Sequence, residues 1–222
     1  VATKHYDMWV KEAVKAGADI IISGAGLPVS LPEYVEAAYA EMEEKPARRI
    51  KLAPIVSSAK SAMVICKMWD RKCHTAPDLV VVEGPLAGGH LGFSLDQLTQ
   101  YGADTDDVPS SYDQAAYDQE IKAILKVVKE YGDKYGRHIP VVVAGGIYTH
   151  EDVMHQIGLG ADGVQVATRF VTTEECDAPE VYKQAYIAAG KADIVITKSP
   201  VGMPGRAIKN SFLTAVGDGI RP

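Results

Sequence analysis

One histidine stands out by its surroundings. His90 lies in Glu83-Gly84-Pro85-Leu86-Ala87-Gly88-Gly89-His90-Leu91-Gly92, a stretch whose other titratable side chain is Glu83. So many glycines are costly in backbone entropy, which implies a geometric task for the loop. Imidazole titrates nearest to neutrality, so His90 is a candidate general base; the alternative is a histidine merely exposed on a loop. His5, His74, His138, His150 and His155 fall on helices or at the opposite ends of strands, where a solvated role is expected.

A second pattern suits an anion. Ala144-Gly145-Gly146-Ile147 and Gln165-Val166-Ala167-Thr168-Arg169-Phe170 each follow or end an apolar run. Adjacent glycines at a strand end free backbone N–H groups to point at a phosphate. A helix opened by Thr149, or a short extra helix, could add its positive end. A tight turn with no ligand is the alternative. Arg206, within the segment from Lys198 to Ile208, could meet a phosphate or a carboxylate, or lie on the surface. Proline and glycine in that segment forbid a regular helix and predict an ordered loop or a lid.

These residues need a scaffold that gathers strand ends. A phrase recurs along the chain. Lys15-Ala16-Gly17-Ala18-Asp19 precedes Ile20 to Gly24, Ala76-Pro77-Asp78 precedes Leu79 to Gly84, and Leu159-Gly160-Ala161-Asp162 precedes Gly163 to Thr168. Gly17 and Gly160 stand where a helix should stop. The apolar runs are continuous, as in parallel strands buried on both faces. Lys51 to Val56 and Val141 to Ala144 read the same way. Amphipathic helices are expected over Lys4 to Ala16, with Met8, Val10, Ala13 and Val14 on one side, and over Asp118 to Tyr131. Thr149 and Asp152 resemble a capping box for a helix ending near Gly158.

The predicted fold class is α/β: a (β/α)8 TIM barrel, of which about the last five to six βα units are present. Val1-Ala2 would be the tail of a sixth strand, with the first two or three units outside this sequence. An open doubly wound sheet is the alternative. Residues 1–222 are expected to form one domain, with an excursion at about 93–118 carrying Asp96, Asp104, Asp106, Asp107 and Asp113. That run lacks the spacing of a calcium loop, and a solvated role is expected.

Composition narrows the field. The 29 acidic and 23 basic residues, net −6 and without blocks of one sign, argue against a nucleic-acid surface. No apolar run reaches the roughly 18 residues of a membrane span, and no leader is visible. Cys66, Cys73 and Cys176 form no CxxC or metal-like cluster, which fits small packing residues in a reducing, cytoplasmic setting.

Ala87-Gly88-Gly89-His90-Leu91-Gly92, Val143-Ala144-Gly145-Gly146-Ile147, and Gly160 to Gln165 leading to Thr168-Arg169-Phe170 together resemble the nitronate monooxygenase family, from about Val1 to Phe212. The resemblance implies an FMN-bound barrel. It implies that Gly84, Gly88 and Gly89 lie against the flavin, and that Ala144, Gly145, Gly146, Gln165, Val166, Ala167 and Thr168 hold its phosphate end. His90 would be the catalytic base, taking the α-proton of a nitroalkane or orienting a nitronate, with O₂ as co-substrate and a carbonyl compound and nitrite as products. Ala167 stands where many members have glycine, Ser57-Ser58 where some have a lysine, and Pro85-Leu86 where many have an acidic segment. The same barrel and histidine loop occur in flavin-type enoyl-acyl carrier protein reductases and quinone reductases, which would add NAD(P)H as a partner. A phosphosugar-binding barrel without flavin is a further alternative.

Overall fold

A computed structural model describes residues 3–104, 111–198 and 202–217. Parallel strands β1 (Ile20–Ser23), β2 (Lys51–Val56), β3 (Val80–Glu83), β5 (Val141–Ala144) and β6 (Gly163–Gln165) form a five-stranded sheet in the order β1-β2-β3-β5-β6. The order never reverses. A doubly wound sheet would turn back on itself at a switch point, whereas a barrel adds each strand beside the last. The five strands are therefore an arc of the predicted barrel, with β1 and β6 at its two ends. Val80 pairs with Val141, Glu83 with Ala144 and Ala144 with Gln165, so the chemically interesting residues fall at one level on the sheet's carboxyl end.

The helices form where the residue spacing predicts them. In α1 (Tyr6–Lys15), Val10 and Val14 are buried. Met8 is exposed, against expectation, because two residues turn a helix by about 200° and put Met8 opposite Val10. After α2 (Leu31–Glu41) comes α3 (Ala59–Cys73), which buries Ile65 and Trp69; the Trp69 indole N–H donates to the Pro28 carbonyl at 3.0 Å. The helix predicted over Asp118 to Tyr131 is longer, α5 (Gln114–Lys134), since the Asp113 carboxylate accepts the Ala116 N–H at 2.9 Å and starts it earlier. The Thr149 box is present: Thr149 and Asp152 cap α6 (His150–Leu159) reciprocally, and Gly160 ends it at φ 108°.

Two longer segments also depart from expectation. The 93–118 excursion is not simply solvated. It contains α4 (Leu95–Gln100), capped by Ser94 and Gln97, and it buries Phe93, Leu98 and Ala103. Asp106 and Asp107, like Val1-Ala2, lie outside the described residues. The tail is the second change. After the single turn α7 (Thr168–Val171) and α8 (Glu180–Ala188), strands β7 (Ile194–Lys198) and β8 (Pro204–Ile208) pair antiparallel, where a loop or lid was expected. They form a second sheet, β4-β8-β7, with β4 (Gly89–His90). Proline excludes helix here but is compatible with the first residue of a strand, and Pro204 still accepts the Leu91 N–H at 2.8 Å. The chain then enters α9 (Ser211–Gly217), while residues 199–201 lie outside the description.

Asp78, just before β3, binds three partners. It accepts the Leu52 N–H at 3.0 Å, Arg137 at 2.7 Å and Lys51 Nζ at 3.1 Å. Burial works against its charge, but the Leu52 amide, Arg137 and Lys51 outweigh burial and hold the carboxyl below its usual range. A carboxyl depressed on folding contributes stability above its unfolded pKa of about 4, and that contribution is lost as pH falls through the folded value. Asp78→Asn should therefore cost about 2 kcal/mol at pH 7. The deficit should shrink as pH drops below about 4, when wild type loses the same charge. Urea unfolding at pH 7 and pH 3 checks both.

Candidate active site

The site is assembled where β2, β3, β5 and β6 end. Glu83 closes a strand of buried valines, and its carboxyl turns back to bind the far end of the loop it begins. Glu83 Oε2 accepts the Gly92 N–H at 2.9 Å and the Ser57 hydroxyl at 3.3 Å. Gly92 has no room for a side chain: a Cβ there would stand 2.2 Å from Ser57 Oγ and 3.1 Å from Glu83 Oε2. Burial raises the Glu83 carboxyl above its ordinary range; the Gly92 N–H, the Ser57 hydroxyl and the charge of His90 each pull the other way. The Tyr117 phenol, itself pushed far up by burial, donates to the Glu83 carbonyl at 3.0 Å.

The histidine loop is held from above by the tail. Gly89 pairs with Arg206 and His90 with Gly205 across β4 and β8. The Arg206 guanidinium, half-buried, donates to the carbonyls of Pro85 and Ala103. Arg206 thus joins the loop, the excursion and β8, rather than presenting itself to an anion.

Two cavities adjoin at this mouth. One, about 310 Å³, is lined by Gly88, Ala144, Gly145, Gly146, Gln165, Ala167 and Thr168. The other, about 400 Å³, is lined by His90 together with Ser57, Leu91, Phe93 and Met203. Glu83 and Ile55 line both. Most of the predicted residues are thus brought together, and His90 is exposed beside them. Gly84, Gly89 and Val166 do not line either cavity. Gly84 packs β3 against β5, where a Cβ would be 2.9 Å from the Ala144 carbonyl, Gly89 belongs to β4, and Val166 packs on the core.

The first cavity fits an anion through backbone. Gly145 and Gly146 adopt φ 96° and 76°, and their N–H groups have no partner among the described residues. Acidic side chains, Glu151 and Asp152, occupy the first turn of α6. Asp152 accepts the N–H groups of Tyr148 and Thr149 at 2.9 and 2.7 Å, and those bonds hold its carboxyl low. Arg169, next to the glycine-poor half of the cradle, stacks on Tyr148 with its guanidinium 4.8 Å from the ring centre and donates to the Tyr148 carbonyl at 3.1 Å. It braces a cavity wall, since Tyr148 lines that cavity.

Glu83 and Tyr148 were not singled out as site residues from sequence. Glu83 carried a signal, a lone charge ending a run of valines in a strand buried on both faces; Tyr148 carried none. The other histidines lie away from these two cavities: His138 meets Asp162 at 2.6 Å, His155 meets Asp118 at 2.9 Å, and His5 and His74 bound helices. Among the described residues no group of three or more His, Cys, Asp and Glu side chains could hold a metal, and no helix is long and apolar enough to cross a membrane.

A family model described as nitronate monooxygenase matches residues 3–219. A probable nitronate monooxygenase of Staphylococcus saprophyticus is 30% identical over 210 residues, covering 93% of this chain and 51% of that protein. Another, from Staphylococcus aureus strain Newman, is 34% identical over 139 residues, covering 61% of this chain and 33% of that protein. The chain therefore spans about half the length of the first of these relatives. Among solved structures, FabK from Thermotoga maritima aligns with a TM-score of 0.67 at 24% identity, covering 97% of this chain and 54% of that one. Nitroalkane oxidase from Streptomyces ansochromogenes aligns with a TM-score of 0.64 at 21% identity, covering 96% and 50%. At these identities the two structures share the fold.

Proposed function

The chain belongs to the nitronate monooxygenase family, and on that premise we propose that its described residues carry the phosphate grip and the base of an enzyme that oxidises alkyl nitronates with O₂ to a carbonyl compound and nitrite. The observation that carries this reading is the adjacency of the cavities: a glycine cradle on one side, His90 on the other, and Glu83 shared between them. Gly145 and Gly146 would turn their N–H groups to the phosphate of FMN, with Gln165, Ala167 and Thr168 closing the other side. The small residues Gly88 and Ala144 leave space for a broad planar group. Bound flavin would supply the electron transfer from nitronate to O₂.

The protein's own contributions are orientation and a proton site. His90, held by β4 against β8, takes the α-proton of a neutral nitroalkane, leaving the electron pair on the substrate as its nitronate. A nitronate that arrives already ionised needs no base, only a positive or hydrogen-bonding partner, which the same imidazole supplies when protonated. Leu91, Phe93 and Met203 give the second cavity an apolar lining for an alkyl chain.

A stopped-flow trial tests this against the reductase alternative. The full-length protein should be yellow as isolated. Its flavin should bleach anaerobically with ethylnitronate and not with NADH, and in air the same substrate should yield nitrite. Fast bleaching by NADH with none by ethylnitronate would overturn the proposal in favour of an NAD(P)H-driven enzyme. A colourless protein that cannot be reconstituted with FMN would remove flavin chemistry altogether.

A further inference from the structure

Glu83 is a half-buried titratable group that the reaction outlined above leaves without a task. It lines both cavities, and its carboxyl bridges the two ends of the loop that carries His90. It receives the Gly92 N–H at 2.9 Å and the Ser57 hydroxyl at 3.3 Å, so its orientation is fixed from β2 and from the loop at once. His90 lines the same cavity as this carboxyl and stands two residues before the Gly92 amide that it binds. Tyr117 of α5 donates to its backbone carbonyl, and Arg206 of β8 is turned to Pro85 and Ala103.

We propose that Glu83 is a positioning residue for His90: its carboxylate clasps the histidine loop and stabilises the imidazolium formed when His90 takes a proton. The proposal rests on the reading of His90 as a proton acceptor. It adds that the acceptor's strength is set by a partner across the mouth, from a position where the sheet would otherwise bury an apolar residue. In a partly desolvated cavity a carboxylate acts on a nearby positive charge more strongly than it would in water. The balance is simple. A C–H bond of the substrate breaks, an N–H bond forms on His90, and the pair of charges Glu83 carboxylate and His90 imidazolium replaces carboxylate and neutral imidazole.

The experiment compares Glu83→Gln with Ser57→Ala. Glutamine keeps an acceptor oxygen for the Gly92 N–H and removes the charge. Alanine at 57 removes one hydrogen bond to the clasp and keeps the charge. The first readout is the His90 titration, followed by NMR in protein labelled at histidine, which requires no turnover. Glu83→Gln should lower the His90 midpoint, since the carboxylate that favours the imidazolium is gone, and Ser57→Ala should leave it near wild type. The second readout is the pH profile of kcat/KM for nitroethane: in Glu83→Gln its acidic limb should move to lower pH by the same amount. Turnover of nitroethane should also fall several-fold more than that of ethylnitronate. An unchanged His90 midpoint in Glu83→Gln, or an equal shift in both variants, would overturn the proposal and leave Glu83 a structural clasp. Should the protein fail on nitronates while the His90 midpoint still falls, the proposed reaction is wrong and the pairing stands.

Discussion

Replacing His90 by alanine should lower turnover of a neutral nitroalkane by about 10²- to 10⁴-fold while the flavin stays bound, the range expected when a general base is lost. The expectation of intact cofactor binding follows from the architecture. His90 is exposed, and its place is fixed by main-chain pairing with Gly205 and by the Leu91 N–H bond to Pro204, none of which needs the imidazole. His90 lines the second cavity, whereas the glycine cradle lines the first. The same variant should lose much less with preformed ethylnitronate, because ionisation has then been done outside the enzyme. The measurement is steady-state nitrite release from nitroethane and from ethylnitronate, beside the flavin absorbance of the purified variant. Equal losses on both substrates would take proton abstraction away from His90 and leave it orientation or charge stabilisation.

The second large effect is expected at Gly145. Its φ of 96° is a conformation that side-chain-bearing residues rarely adopt, and a Cβ would stand 3.0 Å from the Ala87 nitrogen and 3.1 Å from the Gly84 carbonyl. Those neighbours are backbone atoms of the histidine loop and cannot rotate aside. Gly145→Ala must either strain the turn, at a cost of about 1–2 kcal/mol, or swing the amide away from the phosphate. Either way FMN affinity should fall by about five- to thirtyfold, since each 1.4 kcal/mol is a factor of ten. Titrating apoprotein with FMN, followed by loss of flavin fluorescence, measures it directly. Gly158→Ala is the control. It lies exposed in α6 with nothing within 4 Å of its would-be Cβ, so FMN affinity should be unchanged and the helix slightly firmer. Equal weakening in both variants would show that the turn at Gly145 has no special part in the grip.

Much of this arrangement was legible in the residues. The strands were visible because a parallel sheet covered on both faces leaves continuous runs such as Val80-Val81-Val82 and Val141-Val142-Val143, and these are the strands seen. The cradle was visible because Gly145-Gly146 and the segment from Gln165 to Thr168 each sit just past such a run. The tail was misread because its strand character comes from partners, not from composition: Pro204-Gly205 extends only because β7 lies on one side and β4 on the other. Gly84 also has a packing reason to be small, since it lets two strands meet, and Gly89 also belongs to the second sheet, roles that no local pattern in the loop reports. Met8 shows the reverse error, an apolar residue grouped with a face that the helical rotation denies it. Glu83 escaped notice because the partners that give it a role, Ser57 and Gly92, lie on different segments, and no local pattern reports such a meeting.

The pinning of the histidine loop by β8 has a consequence for how the enzyme comes into being. The Arg206 contact to Pro85 spans 121 residues, the whole of the cradle lying between. Closing a segment that long costs about 4 kcal/mol in chain entropy from length alone, and during synthesis β8 leaves the ribosome well after β3, β5 and β6. The strands that carry the cradle are thus made while the histidine is still without its β8 partner.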